Sequence, residues 1–329
     1  MIWLTWRQFR VQAASVYAGL AVIAVILVIT GQDLAGRTDY SNLDVLYQGG
    51  LITLYLLPAV LGVFWGVPMV TRELETGTHA LVWNQSVTRS RWLTTKLGIA
   101  VPAAMVAAGL LSLAVSWWAG PIDALASQTA DSSLPSRISP VVFAARGLVP
   151  IGYAAFALVL GVTIAMVLRR TVAAMAVTLV ALTAVQLAVP LLVRPNLLPA
   201  TEQTVTISID NVTQISGTQA GVIDYIAMAE PAGVWGLSNV TVDAAGNAVT
   251  PLPDTFQQCM PKPDRGEGPP SGQTLAKCFA LLNDLGYRQH LVYQPGSRFW
   301  PLQWIETAIL LALSGLLTWF CFRRLRHLS

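Results

Sequence analysis

The sequence predicts an all-α polytopic membrane protein: six transmembrane helices, an N-terminal interfacial helix, and a mixed α/β extracellular domain between spans 5 and 6. Three observations predict it. Of 329 residues 54% are hydrophobic and 11% charged, with a mean hydropathy of +0.57, whereas a soluble chain carries roughly a quarter charged residues. Six apolar windows are each long enough for a hydrocarbon core of ~30 Å, which takes ~20 residues to cross. Between the fifth and sixth lies a long polar stretch with strand-like alternation.

The chain opens on "MIWLTWRQFR", in which Ile2, Trp6 and Phe9 share one helical face while Arg7 and Arg10 lie on the polar side. That pattern, with Trp3 beside it, suits either a short helix in the membrane interface over residues 1–10 or a frayed start with aromatic-belt residues. A cleaved leader is not expected. The apolar run that follows is about twenty residues against ~7–15 for a signal core, and "ITGQDLAG" offers no small-x-small cleavage site.

The six windows are Val11 to Thr30, Leu51 to Val70, Leu97 to Trp118, Gly147 to Leu168, Thr171 to Val193 and Trp304 to Phe322. Ionised groups at the bilayer centre cost ~2.5–3.5 kcal/mol on insertion scales, so the charges collect between the windows. Spans 1–5 therefore occupy 11–193 with a charged loop at 72–96, and 299–329 holds span 6 and a basic tail. Arg146 either caps span 4 or lies just inside it and snorkels. Glu306, near the start of span 6, is read as an interface residue. With the N-terminus inside, the inner segments carry eleven basic and two acidic residues and the outer ones nine and fifteen. The balances are +9 and −6, which together give the chain's +3. This is the distribution the positive-inside rule requires of a multi-pass protein of the cell membrane with both termini cytoplasmic.

The outer segment 194–298 contains "TVTISID" (Thr204 to Asp210) and "NVTVDAAGNAV" (Asn239 to Val249), both read as strands, the second with a tight turn at Gly246-Asn247. A helix is expected over Gln273 to Leu285, with Leu275, Phe279, Leu282 and Leu285 in one stripe and Gly286 as its stop. Cys259 and Cys278 flank the Pro/Gly-rich loop between. On an oxidising face they most simply form one disulfide, two free thiols being the alternative, while Cys321 at the inner end of span 6 stays reduced.

Several chemistries find no support. His79, His290 and His327 are scattered, with no metal-ligand spacing, and there is no Gly-x-Ser-x-Gly elbow or Walker A sequence. Neither net charge nor any basic run outside the span ends points to nucleic acid. Two "Asn-Val-Thr" triplets, at Asn211 and Asn239, match the glycosylation pattern, which has meaning only in a eukaryotic secretory route. No window carries an ionisable residue near its middle, as ion-coupled carriers usually do. Gln186 is the long polar side chain well inside a crossing, suited to an interhelical hydrogen bond or a substrate contact.

One stretch exceeds what topology demands. "TRELETGTHALVWNQSVTRSRWLTTKLG" sets Arg72, Glu73, Glu75, Gly77 and Thr78 ahead of a short apolar run and then Arg89, Arg91 and Lys96. Gly77 can turn the chain and Thr78 can cap a short surface helix. Arginines that only set topology would leave the Glu-x-Glu-x-Gly-Thr unexplained.

This run, together with "RGLVPIGYAAFALVLGV", "LRRTVAAMAVTL" and "YQPGSRFWPLQWIETAI", resembles the membrane subunits (permeases) of type-2 ABC transporters, and within them an actinobacterial group. Many relatives have a proline where this chain has Ser86. The resemblance implies a six-span half-transporter with an inner interfacial helix, here Trp3, Trp6, Arg7, Phe9 and Arg10. It implies that the first cytoplasmic loop is a coupling helix pressed into a separate ABC ATPase subunit. Its contacts would come from Arg72, Glu73, Glu75, Gly77, Thr78, Arg89 and Arg91, with the acids paired to basic residues of the ATPase. ATP and Mg would be bound by that partner, so no cofactor is expected on this chain, and a second permease copy, identical or related, would complete the cavity. A membrane-anchored extracellular ligand-binding or sensing protein, and a membrane-embedded hydrolase or transferase using the outer acids, are the alternatives. Membrane lipid is expected as a partner. An acid-free cavity would suit a lipophilic cargo.

Overall fold

The computed structural model describes residues 2–32, 44–77, 88–126, 135–218, 222–260 and 271–326. They form two compact units. The first comprises 1–125, 139–197 and 299–329, and the second 126–138 with 198–298.

The first unit is helical and holds six helices long and apolar enough to cross a membrane. Helix α1 (Ile2–Gly31) runs unbroken, so no joint sets residues 2–10 apart from the apolar stretch. It contains no proline to end it early. Phe9 packs inward, edge-on to Trp65 with ring centroids 4.6 Å apart, whereas Trp3 and Trp6 are exposed. The second crossing begins as α2 (Asp44–Val60), widens into a π-helical turn (Leu61–Gly66) and continues as α3 (Val67–Glu75). Pro58 and Pro68 flank the widened turn, each withdrawing an amide from the helical ladder.

Next come α4 (Arg89–Trp118), two short helices, α5 (Gly120–Ala126) and α6 (Pro140–Ala144), then α7 (Val149–Leu168), α8 (Thr171–Ala188) and, after the outer segment, α11 (Phe299–Leu325). Helix α7 lies at the centre, packed against α11, α4, α8 and the broken second crossing. Its small residues permit this. A Cβ on Gly62 would stand 2.6 Å from the carbonyl oxygen of Ala157, one on Gly66 2.6 Å from that of Leu158, and one on Gly161 would overlap that of Gly62.

The second unit holds a three-stranded antiparallel sheet in the order β1 (Thr201–Val205), β5 (Arg288–Gln294), β4 (Trp235–Val242), and a hairpin of β2 (Val212–Gly217) with β3 (Ile223–Met228). Both expected strands are shifted. The first ends at Val205 because Ser208 to Asn211 forms a turn, with both Ser208 N and Oγ donating to Asn211 Oδ1. The second ends at Val242, where Asp243 accepts from the backbone of Ala245 and Asn247 to close the expected turn, with Gly246 at φ +86°. Helices α9 (Asp254–Cys259) and α10 (Gly272–Asp284) cover a core of Ile226, Leu252, Phe256, Phe279, Leu282 and Leu291. A disulfide joins Cys259 to Cys278 across nineteen residues, a closure worth about 3 kcal/mol in the chain-entropy picture.

The two Asn-Val-Thr asparagines are engaged in this unit. Asn211 donates to Thr206 O, and Asn239 donates to Met228 O while accepting from Gln289. Glu230 is half-buried, its carboxyl seated where a Cβ on residue 236 would be, so a side chain there would displace it. Burial pushes the Glu230 pKa up, against hydrogen bonds from Asn239 and the Gly236 amide that pull it down.

Candidate functional site

The charged loop that begins at Arg72 leaves α3 and returns on α4, and its two legs are bolted together at the base. Lys96 is 3% exposed. Its Nζ donates to Glu73 Oε1 at 2.7 Å and to Met69 O at 2.6 Å, and lies 4.6 Å from the centre of the Trp92 ring. Trp92 Nε1 donates to the other oxygen, Glu73 Oε2, at 2.7 Å. Both Glu73 oxygens are thus satisfied by groups from the opposite leg, which is what a carboxylate taken out of water requires.

Glu75 binds a third element. Its Oε1 accepts from the backbone N of Thr171 at 2.6 Å and its Oε2 from the Thr171 hydroxyl at 2.8 Å. Thr171 is the first residue of α8, so Glu75 caps that helix from outside and places negative charge at its amide-rich end. The sequence explains why a borrowed cap is needed: Arg170, at the N-cap position, offers no side-chain acceptor.

Arg89 completes the bracing. Its Nη1 reaches Leu325 O at 3.4 Å, the last residue of α11. Thr88 starts α4 by accepting from Arg91 N, an N-cap from a residue type suited to it. Gly77 holds φ +70°, a backbone that residues with a Cβ rarely adopt. Arg72 and Arg91 are exposed. Thr78, Ala80 to Trp83 and Ser86 lie outside the described residues. Within the chain, each of the two carboxylates, Glu73 and Glu75, accepts hydrogen bonds from a neighbouring helix.

The other end of the bundle holds a second set of buried polar groups. Glu306 is not an interface residue. It is 1% exposed and takes Arg194 in a two-pronged pair, Nε to Oε2 at 2.8 Å and Nη2 to Oε1 at 3.0 Å. Arg194 also donates to Pro140 O and lies over the Phe143 ring. Arg146, just ahead of α7, is likewise buried rather than snorkelling, with Nη1 on both oxygens of Asp123. Gln303 has the same bracing role as Glu75. Its Oε1 accepts from Leu148 N and Val149 N at the start of α7 while its Nε2 donates to Phe143 O. Gly147, at φ +71°, leaves the room this amide occupies. Gln186 donates to Tyr55 O at 3.0 Å, an interhelical bond.

Sequence reasoning found Glu73 and Glu75 but not their partners, and missed Gln303 and the Arg194–Glu306 pair. The available signal was that Asp123, Arg146, Arg194 and Glu306 each stand alone beside an apolar run. Two cations and two anions so placed can cancel in pairs when the helices close.

A family model described as ABC-2 membrane transporter related matches residues 37–194, just under half of the 329-residue chain. No curated protein and no solved structure matches. The matched region contains the loop with its Glu73–Lys96 base and ends at Arg194, before the second unit's main segment. Together with the six long apolar helices it supports a multi-pass membrane protein of the ABC-2 permease type.

Proposed function

We propose that this chain is the membrane subunit of an ATP-driven exporter, working with a separate ABC ATPase and a second permease copy. The loop between α3 and α4 is the lever by which the ATPase moves the bundle. Charge supports a position inside the cell for that loop, since the segments on its side of the membrane carry nearly all the basic excess. Residues 2–10 then lie at the inner interface, with Trp3, Trp6, Arg7 and Arg10 toward headgroups and water. The second unit lies outside, where its disulfide is chemically at home.

The observation that carries the reading is the bracing of the loop's base. Glu73 joins its two legs, Glu75 ties it to the start of α8, and Arg89 ties it to the end of α11. Force delivered to the base of the loop, at Glu73, Glu75 and Arg89, therefore reaches four crossings. ATP binding that closes the ATPase dimer shifts the bundle between inward- and outward-facing states by the difference in ATP's affinity for the two. This chain contributes no chemistry to hydrolysis. Its residues receive force, with contact falling on Gly77, Thr78 and the exposed Arg91, and hold that force in the helices. The cavity between two copies would take a lipophilic cargo.

The test is purification of the tagged chain from its native membrane. A co-purifying ATPase whose hydrolysis the chain stimulates is expected, and Arg91→Glu should weaken that association while leaving the permease folded. Absence of any nucleotide-hydrolysing partner, with residues 77–91 open to labelling only from outside the cell, would overturn it.

A further inference from the structure

The seam between α1 and α4 changes character along its length. At the loop end it holds a cavity of about 120 Å³ lined by Phe9, Gln12, Met69, Arg72, Glu73 and Lys96 among others. Further along, the same two helices part to form an open groove of about 600 Å³ lined by Tyr17, Ala21, Ala24, Leu110, Ala114 and Trp117 with apolar neighbours. Between the two, Tyr17 Oη donates to Ala103 O at 2.8 Å and holds the helices together. From Phe9 to Val28 the seam runs about 28 Å at 1.5 Å per residue, close to the ~30 Å of a hydrocarbon core.

The charges in the cavity do not cancel. Glu73 is spent on Lys96 and Trp92, and Lys96 on Glu73 and Met69. Arg72 adds a guanidinium to the lining with no hydrogen bond or ion pair to any described residue. The end near the headgroup level thus presents one uncompensated cation above an otherwise neutral floor. The groove beyond it is walled by leucines and alanines, and the small side chains of Ala21, Ala24 and Ala114 make room for a chain lying along the helix axis.

We propose that this seam binds an anionic membrane phospholipid, with its phosphate on Arg72 in the cavity and an acyl chain along the α1–α4 groove. Charge and shape select the occupant together. A zwitterionic lipid brings its own cation to the same place, and a free phosphate leaves the groove unused. The inference rests on the membrane-spanning reading but not on the ATPase, and it is measured on the isolated chain, so the two fail separately.

The full chain, delipidated in mild detergent and offered equal phosphatidylglycerol and phosphatidylcholine, is examined by native mass spectrometry. Phosphatidylglycerol should be retained about five-fold over phosphatidylcholine, the preference expected of one basic residue at a membrane surface. Arg72→Gln should bring the ratio to about one and Arg72→Lys should keep it. Ala24→Trp, which fills the groove, should lower retention of both lipids while the protein elutes unchanged. Equal retention by the wild-type chain, an undiminished preference in Arg72→Gln, or displacement of the lipid by inorganic phosphate would each overturn the proposal. If Arg72→Gln does not fold, the wild-type ratio and the Arg72→Lys ratio decide.

Discussion

Helices α7 and α8 follow one another in sequence with two arginines between them, and each carries a window of mean hydropathy 2.3. Yet 72% of the first window is buried within the chain and 11% of the second. Hydrophobicity therefore selects which segments enter a membrane but not which of them forms the centre. The lipid tail is as apolar as leucine, so inside a bilayer the helix that collects neighbours is the one that lets backbones approach. Helix α7 has Gly152, Ala154, Ala155, Ala157 and Gly161 on its packed surfaces, with Gly62 and Gly66 opposite. Helix α8 packs through one narrow stripe, Ala174, Thr178 and Leu182, and is tied at its ends by Glu75 on Thr171 and by Arg194, just beyond its last turns, on Glu306. The rest of its length is exposed or half-buried in this chain.

The largest effect expected from breaking this contrast comes from Gly161→Leu. Its added atoms meet backbone rather than a yielding side chain, and overpacking of that kind costs ~1–3 kcal/mol or more. Size-exclusion chromatography should show loss of monodisperse protein. Ala176→Leu, on the exposed side of α8, should leave the elution profile intact. Were both tolerated alike, the close-packing account of α7 would be wrong.

Next in size is Glu306→Ala. Leaving Arg194 buried and unpaired costs ~3–5 kcal/mol, whereas replacing both partners by apolar residues of similar volume can be nearly neutral. Thermal unfolding should therefore fall sharply for the single variant and recover for Glu306→Leu with Arg194→Met. A recovery that fails would mean that the pair sets geometry rather than merely compensating charge.

Glu75→Ala removes the opposite anchor, and a smaller drop in the melting temperature is expected. Hydrogen exchange should speed at the first amides of α8, and any ATPase-driven transport should decline with little change in folding. Unchanged exchange at Thr171 would sink the capping role.

The smallest effect lies outside the bundle. Because burial raises the pKa of Glu230 in the folded state, the folded form holds its proton longer than the unfolded chain. Its contribution to stability is therefore lost as pH climbs past about 4.3, the ordinary glutamate value. Glu230→Gln should flatten that slope in the second unit's unfolding, with no change in the helical signal. A slope that survives the substitution would assign it to another group.

What could be read in advance follows the range of the forces involved. The six crossings were legible because hydrophobic length is a local property. Helix ends were placed short, as at Arg89 and Phe299, because the helical ladder continues past the last apolar residue. The disulfide was legible from two cysteines flanking one loop. Strands were found near the right places but shifted by several residues, since the Ser208–Asn211 turn depends on a side chain folding back on its own backbone. In the loop, Glu73 and Glu75 stood out by type and spacing. Their partners Lys96 and Thr171 are 23 and 96 residues away, and nothing local points to either.

By itself the sequence determined the number of crossings, the distribution of charge across them and the residues able to brace a loop, because burial and ionisation are properties each segment carries alone. Only the tertiary structure decided that α7 is central and α8 peripheral, and that Glu306 is buried rather than interfacial. It also decided which distant groups, Lys96, Trp92 and Thr171, the loop's carboxylates hold. Each of these depends on which helices meet, and equal hydrophobicity leaves that choice to backbone approach and to the pairing of distant charges.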